Sequence, residues 1–120
     1  MRTIFIRNAA QNKYNARKTS IDGITFDSQR EASRYEELKL MKLAGEIQEL
    51  QLQPEFLLQE AFTDNKGKRR KAIIYKADFQ YIEDGTVVVE DVKGVQTDVF
   101  KLKMKLFLKQ YPGIDFRIIK

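Results

Sequence analysis

Two carboxylates and two lysines in the second half of the 120-residue chain are spaced so that a single turn would bring them together. Asp84-Gly85 separates two runs rich in strand-forming residues, Ala72 to Ile82 and Thr86 to Lys93, and Asp-Gly is a preferred two-residue hairpin turn. Glu83 then pairs with Thr86, and opposed positions keep a constant sum of 169, which sets Asp78 across from Asp91 and Lys76 across from Lys93. Like charges directly opposed destabilise a strand pair, because their Cβ atoms stand only about 4.5–5.5 Å apart. A divalent cation between Asp78 and Asp91 would remove that penalty. Asp91 and Lys93, two apart on one strand, share a face and aim a carboxylate and an ammonium at the same place, a set suited to hydrolysis. With a three-residue loop the sum would be 168 and Asp78 would face Glu90 instead; solvated Asp and Lys at strand ends are the purely structural alternative.

Glu31 is a candidate third acid. Ser28-x-x-Glu31 has the form of a capping box, which by itself would account for the glutamate. Glu31, Tyr35 and Leu38 nevertheless fall at i, i+4 and i+7, so the carboxylate leaves the helix along the stripe that faces the core or its rim.

The elements that must position these groups can be read from periodicity and punctuation. Ser28 to Ala44 carries a helical apolar stripe, with Gly45 where the residue past a helix end belongs. Ile47 to Phe62 reads as extended, with Pro54 marking a bulge, edge or break. A basic turn, Thr63 to Lys71, leads into Ala72 to Ile82, where Ile73, Tyr75, Ala77, Phe79 and Tyr81 alternate onto one face. Thr86 to Lys93 follows, then a helix over Thr97 to Tyr111, closed by Pro112-Gly113, and a last strand over Ile114 to Ile119. The order predicts an α/β fold of helix, three strands, helix, strand. Residues 1–22 read as a basic N-terminal arm and residues 23–120 as one domain.

Composition narrows the chemistry. The chain has no His and no Cys, which removes Ser-His-Asp and Cys-His catalysis, zinc fingers and thiolate chemistry together. Carboxylates, lysine and a hard metal ion remain. Absence of cysteine suits a reducing cytoplasm, and the short apolar runs predict neither membrane insertion nor secretion. The net charge of +5 is concentrated: Arg2, Arg7, Lys13, Arg17 and Lys18 lie in the first 21 residues with no acid among them, and the rest of the chain is neutral. A basic arm on a neutral body reads as a polyanion contact, with nucleic acid as the expected partner. Lys68, Arg69 and Arg70 in the basic turn, and Lys101 and Lys105 on one face of the second helix, are further candidate phosphate contacts, against the plainer reading of solvated charge.

Glu31 on a first helix, Asp78 on one strand and Asp91-Val92-Lys93 on the next, followed by helix and strand, resemble the PD-(D/E)xK nuclease superfamily. The segments Phe26-Asp27-Ser28-x-x-Glu31-Ala32, Gly45-Glu46-Ile47, Leu52-Gln53-Pro54 and Val92-Lys93-Gly94 are similar to small phage-encoded proteins of that group, whose functional relatives include archaeal-type Holliday-junction resolvases. The resemblance spans Lys13 to Lys120. Two departures are Ala77, where the motif name has proline, and Glu90, a rival acid beside Asp91. The resemblance implies a restriction-endonuclease-like core with a central mixed sheet, acting as a metal-dependent endonuclease on DNA, duplex or branched, as a homodimer in the cytoplasm, or in the host's cytoplasm for a phage protein. It also implies that Asp78, Asp91 and the Val92 carbonyl hold magnesium or manganese, with Glu31 at or beside the ion and Lys93 serving the water. Gln53 reads as structural. A nucleic-acid-binding module without catalysis, or a nuclease acting on RNA, are the competing expectations.

The arm yields a separate test. Lys13, Arg17 and Lys18 should contact phosphates rather than bases, so deleting residues 1–19 is expected to flatten the log-log salt dependence of DNA binding by about 2 to 3 units, alike across unrelated sequences. An unchanged slope with a lowered melting temperature would instead make the arm a packing element.

Overall fold

A computed structural model describes residues 18–120; the expectations for Lys13 and Arg17 lie outside the described residues. β1 (Thr19–Ile21) and β2 (Ile24–Phe26) form a hairpin around Asp22-Gly23, both of which have positive φ. Ile21, Ile24 and Phe26 pack with the first helix, so the folded part begins by Thr19 rather than at Gly23. The sequence boundary misplaced this hairpin because its strands are only three residues long.

Helix α1 (Gln29–Leu43) starts where its cap residue dictates: the Ser28 hydroxyl accepts from the Glu31 amide at 3.1 Å. It ends at Gly45, whose φ of +79° lets Gly45 and Glu46 return their amides to the carbonyls of Lys42 and Met41. Helix α2 (Asp98–Gln110) is capped in the same way, the Thr97 hydroxyl accepting from the Phe100 amide at 3.1 Å. Among the described residues no helix is long and apolar enough to cross a membrane.

Between the helices lies a mixed α/β arrangement. β3 (Gln48–Leu52), β8 (Phe79–Glu83), β9 (Thr86–Val92) and β10 (Asp115–Ile119) form a sheet in the order β10-β9-β8-β3, in which only β9 and β10 run parallel, joined by α2. α1 covers one face through Ala32, Tyr35 and Leu38, which cluster with Phe79, Tyr81 and Val88; Val89, on the other face, clusters with Phe100 and Phe107 of α2. The mixed sheet and two helices agree with the expected α/β class. The order of elements is longer than helix, three strands, helix, strand, since the hairpin precedes α1 and two of the expected strands are divided.

Those divisions coincide. β4 (Glu55–Gln59) pairs with β7 (Ile73–Lys76), and beyond them β5 (Phe62–Thr63) pairs with β6 (Arg69–Arg70). The register Leu52↔Phe79 carries on as Glu55↔Lys76, so β3–β4 and β7–β8 are one antiparallel ribbon broken at Gln53-Pro54 and Ala77-Asp78. Pro54 has no amide to donate and Gln53 sits at φ +52°, yet Gln53 still donates to the Asp78 carbonyl and Ala77 to the Pro54 carbonyl. The break turns β7 away from β9. Lys76 accordingly stands opposite Glu55 and not opposite Lys93, a correction to the simple hairpin extrapolation. The expected single face from Ile73 to Tyr81 is also corrected. Tyr75 and Ala77 pack with α2, whereas Phe79 and Tyr81 pack with α1.

Sheet and α1 are further locked by a buried ion pair. Glu90 is fully buried, and Arg34 grips its carboxylate from α1 with two hydrogen bonds of 2.8 and 2.5 Å, while the Tyr81 hydroxyl donates a third. Arg34→Ala would leave that carboxylate nearly unpaired in the core, so we expect a loss of about 3–5 kcal/mol in chemical denaturation. Arg70→Ala, which removes an exposed pair with Asp64, should cost less than about 1 kcal/mol.

Candidate functional site

The two-residue turn holds: Glu83 pairs with Thr86, and the register runs unbroken to Phe79↔Glu90. At the next position the ladder bulges, because the Asp78 amide also donates to the Glu90 carbonyl, at 3.1 Å, leaving two residues against one. This extra residue reverses the face of the strand between Phe79 and Ala77. Asp78 therefore meets Asp91 at a bulge rather than in a flat ladder. Its Oδ2 accepts the Val92 amide at 2.8 Å, which fastens the carboxylate to the strand that carries Asp91 and Lys93.

Asp91 and Glu90 are consecutive, both buried, and face opposite ways. Glu90 turns to α1 and has a structural partner set in Arg34 and Tyr81, and Asp91 faces α2. On that side the Tyr75 hydroxyl donates to Asp91 Oδ2, and Lys93 Nζ lies 3.4 Å from Oδ1. Oδ1 is nevertheless a buried oxygen without a hydrogen-bond partner. Lys93 is itself placed from two sides. Its amide donates to the Ile119 carbonyl of β10 at 2.9 Å, and its ammonium sits 4.9 Å from the centre of the Phe100 ring.

Burial pushes the Asp91 carboxyl above the ordinary aspartate range, outweighing the downward pull of Tyr75, Lys93 and Asp78. Burial, and then the charge of Asp91, push the Tyr75 phenol upward, so it remains a hydrogen-bond donor at neutral pH. An open cleft of about 570 Å³ adjoins this centre, with Asp91, Tyr75, Lys93 and Phe100 in its wall.

The DUF1064 family, described as a protein of unknown function, matches residues 11–120, nearly the whole chain. The chain belongs to this family. Neither the curated proteins nor the solved structures contain a match. The shared family segment thus contains Asp78, Asp91, Lys93 and every element that positions them.

Of the residues singled out in the sequence, Asp78, Asp91, Val92 and Lys93 come together. Glu31 is buried on the sheet-facing side of α1, as its helical stripe predicts. Among the described residues no group of three or more carboxylates is placed to hold a metal ion by itself. Gln53 stands beside Asp78 across the ribbon, its main-chain amide donating to the Asp78 carbonyl at 2.9 Å. Lys68, Arg69 and Arg70 lie at the exposed end of the β4–β7 ribbon, ordered by Asp64, whose carboxylate accepts from the Lys66 and Lys68 amides and from Arg70. Lys18 is paired with Asp27 at 3.2 Å, and Lys101 and Lys105 are exposed on α2. Sequence reasoning missed Tyr75, read only as a core aromatic, and Arg34. The only advance signal for Arg34 was that a buried Glu90 would require a cation.

The raised Asp91 carboxyl has a thermodynamic consequence. The folded chain binds this proton more tightly than the unfolded chain, so the contribution of Asp91 to stability falls as pH rises from the ordinary aspartate value through the raised one. Asp91→Asn removes that loss. In a metal-free buffer above this window the variant should melt at a higher temperature than the parent chain, with the difference shrinking as the pH falls below the ordinary aspartate range. Equal stability at all pH values would contradict the assigned environment.

Proposed function

We propose that this protein is a metal-dependent endonuclease that hydrolyses phosphodiester bonds in DNA, with a restriction-endonuclease-like core, and that it acts on branched DNA as a homodimer. The observation that carries the reading is the buried, hydrogen-bond-free Oδ1 of Asp91, fastened beside Asp78 and 3.4 Å from the Lys93 ammonium. A folded chain retains an unsatisfied buried carboxylate oxygen only at a cost, commonly of about 1–3 kcal/mol, and such costs concentrate where a site is prepared for a ligand. The donor set also fits: carboxylate and carbonyl oxygens suit hard divalent ions.

Asp91 and Asp78 would hold magnesium or manganese, with the carbonyl of Val92, next after Asp91 in sequence, as a further ligand and Glu31 at or beside the ion. When bound, such an ion neutralises phosphate charge and lowers the pKa of water. The protein's own residues supply the rest. Tyr75 occupies Oδ2 of Asp91 and so directs Oδ1 toward the ligand; the Val92 amide fixes Asp78; Lys93 holds an ammonium where it can orient a water or stabilise charge developing on the phosphate. Phe100 walls the ammonium and keeps its direction. Arg69 and Arg70 at the end of the ribbon would contact the backbone away from the cut. Homodimerisation matches the two-fold symmetry of a four-way junction, where paired cuts need two sites.

The test is cleavage of end-labelled linear, nicked, flapped and four-way DNA with magnesium, manganese or a chelator. Metal-dependent cleavage is expected, greatest on the branched substrates, and Asp78→Asn, Asp91→Asn and Lys93→Ala should each lower the rate by about 100-fold or more while DNA binding persists. Binding without cleavage of any substrate would replace the nuclease by a nucleic-acid-binding module. Cleavage of RNA alone would change the substrate class.

A further inference from the structure

We infer that the cleft beside Asp91 is built for two phosphates of a nucleic-acid strand: one at Lys93, and a neighbouring one held by Lys103 of α2 and Lys76 of β7. The inference rests on the nuclease reading only for the identity of the anion.

Three ammonium groups from three separate parts of the chain border this one cleft, and among the described residues Asp91 and Glu55 are its only acids. Its volume of about 570 Å³ lies in the range of a small-ligand site and exceeds what a single phosphate needs. Lys93 is held at the site by Asp91 and Phe100, whereas Lys76 and Lys103 have only weak internal partners. Lys93 faces Asp91 at 3.4 Å; Lys76 reaches Glu55 only at 3.8 Å, with both side chains about half exposed; Lys103 donates to the backbone carbonyl of Ile74 at 3.0 Å. An exposed pair at that distance contributes little, and a neutral carbonyl is a weaker acceptor for an ammonium than a phosphate oxygen. Both contacts can therefore be exchanged for an anion. They also hold the two side chains on the cleft wall beforehand, which reduces the ordering cost of binding.

The same geometry revises which lysines of α2 matter. Lys101 and Lys105 each lie two residues from Lys103, or about 200° around the helix, and so on its opposite flank. Lys103 lines the cleft and they do not. The break in the ribbon is what brings Lys76 here: an unbroken strand would have set it across from Lys93 on the sheet.

The experiment measures binding of a fluorescent DNA duplex and of a four-way junction by anisotropy across a salt series, in chelator, with the full chain. Lys103→Gln and Lys76→Gln are each expected to flatten the duplex log-log salt slope by about 0.9 and to weaken binding at fixed salt, whereas Lys101→Gln and Lys105→Gln leave the slope unchanged. Lys103→Arg should preserve the slope. It keeps the inference testable if Lys103→Gln melts, as does Lys76→Gln alone. Unchanged slopes in both Lys76→Gln and Lys103→Gln overturn the inference, even if the protein cleaves DNA, and so does a failure to bind either DNA. Altered slopes in a protein that never cleaves uphold the subsite and defeat only the nuclease reading.

Discussion

Glu90 and Asp91 are adjacent on the central strand, and alternation forces their carboxylates to opposite faces of a sheet that is covered by helices on both sides. Two neighbouring buried charges are expensive unless each finds a partner. The fold meets the demand of Glu90 completely, with a two-pronged grip from Arg34 and a hydroxyl from Tyr81, which in turn accepts from Arg117. The demand of Asp91 is met only in part. One oxygen has the Tyr75 hydroxyl, and the other has a lysine at ion-pair distance but no hydrogen bond. The asymmetry between these two residues organises everything around them: the α1 side of the sheet is a finished structural interface, and the α2 side is left with an unfulfilled acid at the edge of an open cleft.

The bent ribbon follows from that arrangement. A straight hairpin continued past Phe79 would have carried β7 along β9 and stacked Lys76 on Lys93. The bulge at Asp78, matched across the ribbon by Gln53 and Pro54, lets the chain reverse its inward face and leave β9. Three consequences follow from one extra residue: Asp78 is tied to Val92, Tyr75 is delivered to Asp91, and the far part of the ribbon becomes a second floor on which α2 packs through Phe107 and its aromatic neighbours. The basic residues of the ribbon's end project away from this packed region, where they are exposed.

Helix α2 serves both structure and site. It is the parallel crossover between β9 and β10, so its position is tied to the sheet at both ends, and the β10 carbonyl of Ile119 anchors Lys93. Phe100 in its first turn sets the direction of the Lys93 ammonium, and Lys103, less than one turn further on, lines the cleft. A shift of this helix would move the Lys103 ammonium and the Phe100 ring that borders Lys93 relative to Asp91 together, which makes α2 one of the elements that set the electrostatics of the cleft.

Much of this could be read from the residues themselves. Ser28 announced the first helix through cap chemistry that acts within four residues, and Pro112-Gly113 marked the end of the second. Asp84-Gly85 determined the register of β8 on β9, because the geometry of a two-residue turn admits only one pairing. That register was enough to bring Asp78 toward Asp91 and to separate Asp91 from Glu90 by face. What lay beyond it depended on contacts between distant segments. Pro54 signalled a break, but only the pairing of β3–β4 with β7–β8 decided that the break would be shared at Ala77-Asp78 and would carry Lys76 to Glu55. Arg34 and Tyr75 looked like a surface charge and a core ring until tertiary packing set them against Glu90 and Asp91. Helical spacing alone sets Lys101 and Lys105 on one flank and Lys103 on the other, and only the direction in which Phe100 and Phe107 bury α2 decides that the flank of Lys103 meets the cleft. Local hydrogen bonding is encoded within a few residues; the partner of a buried charge is chosen by which segment the completed core brings within reach.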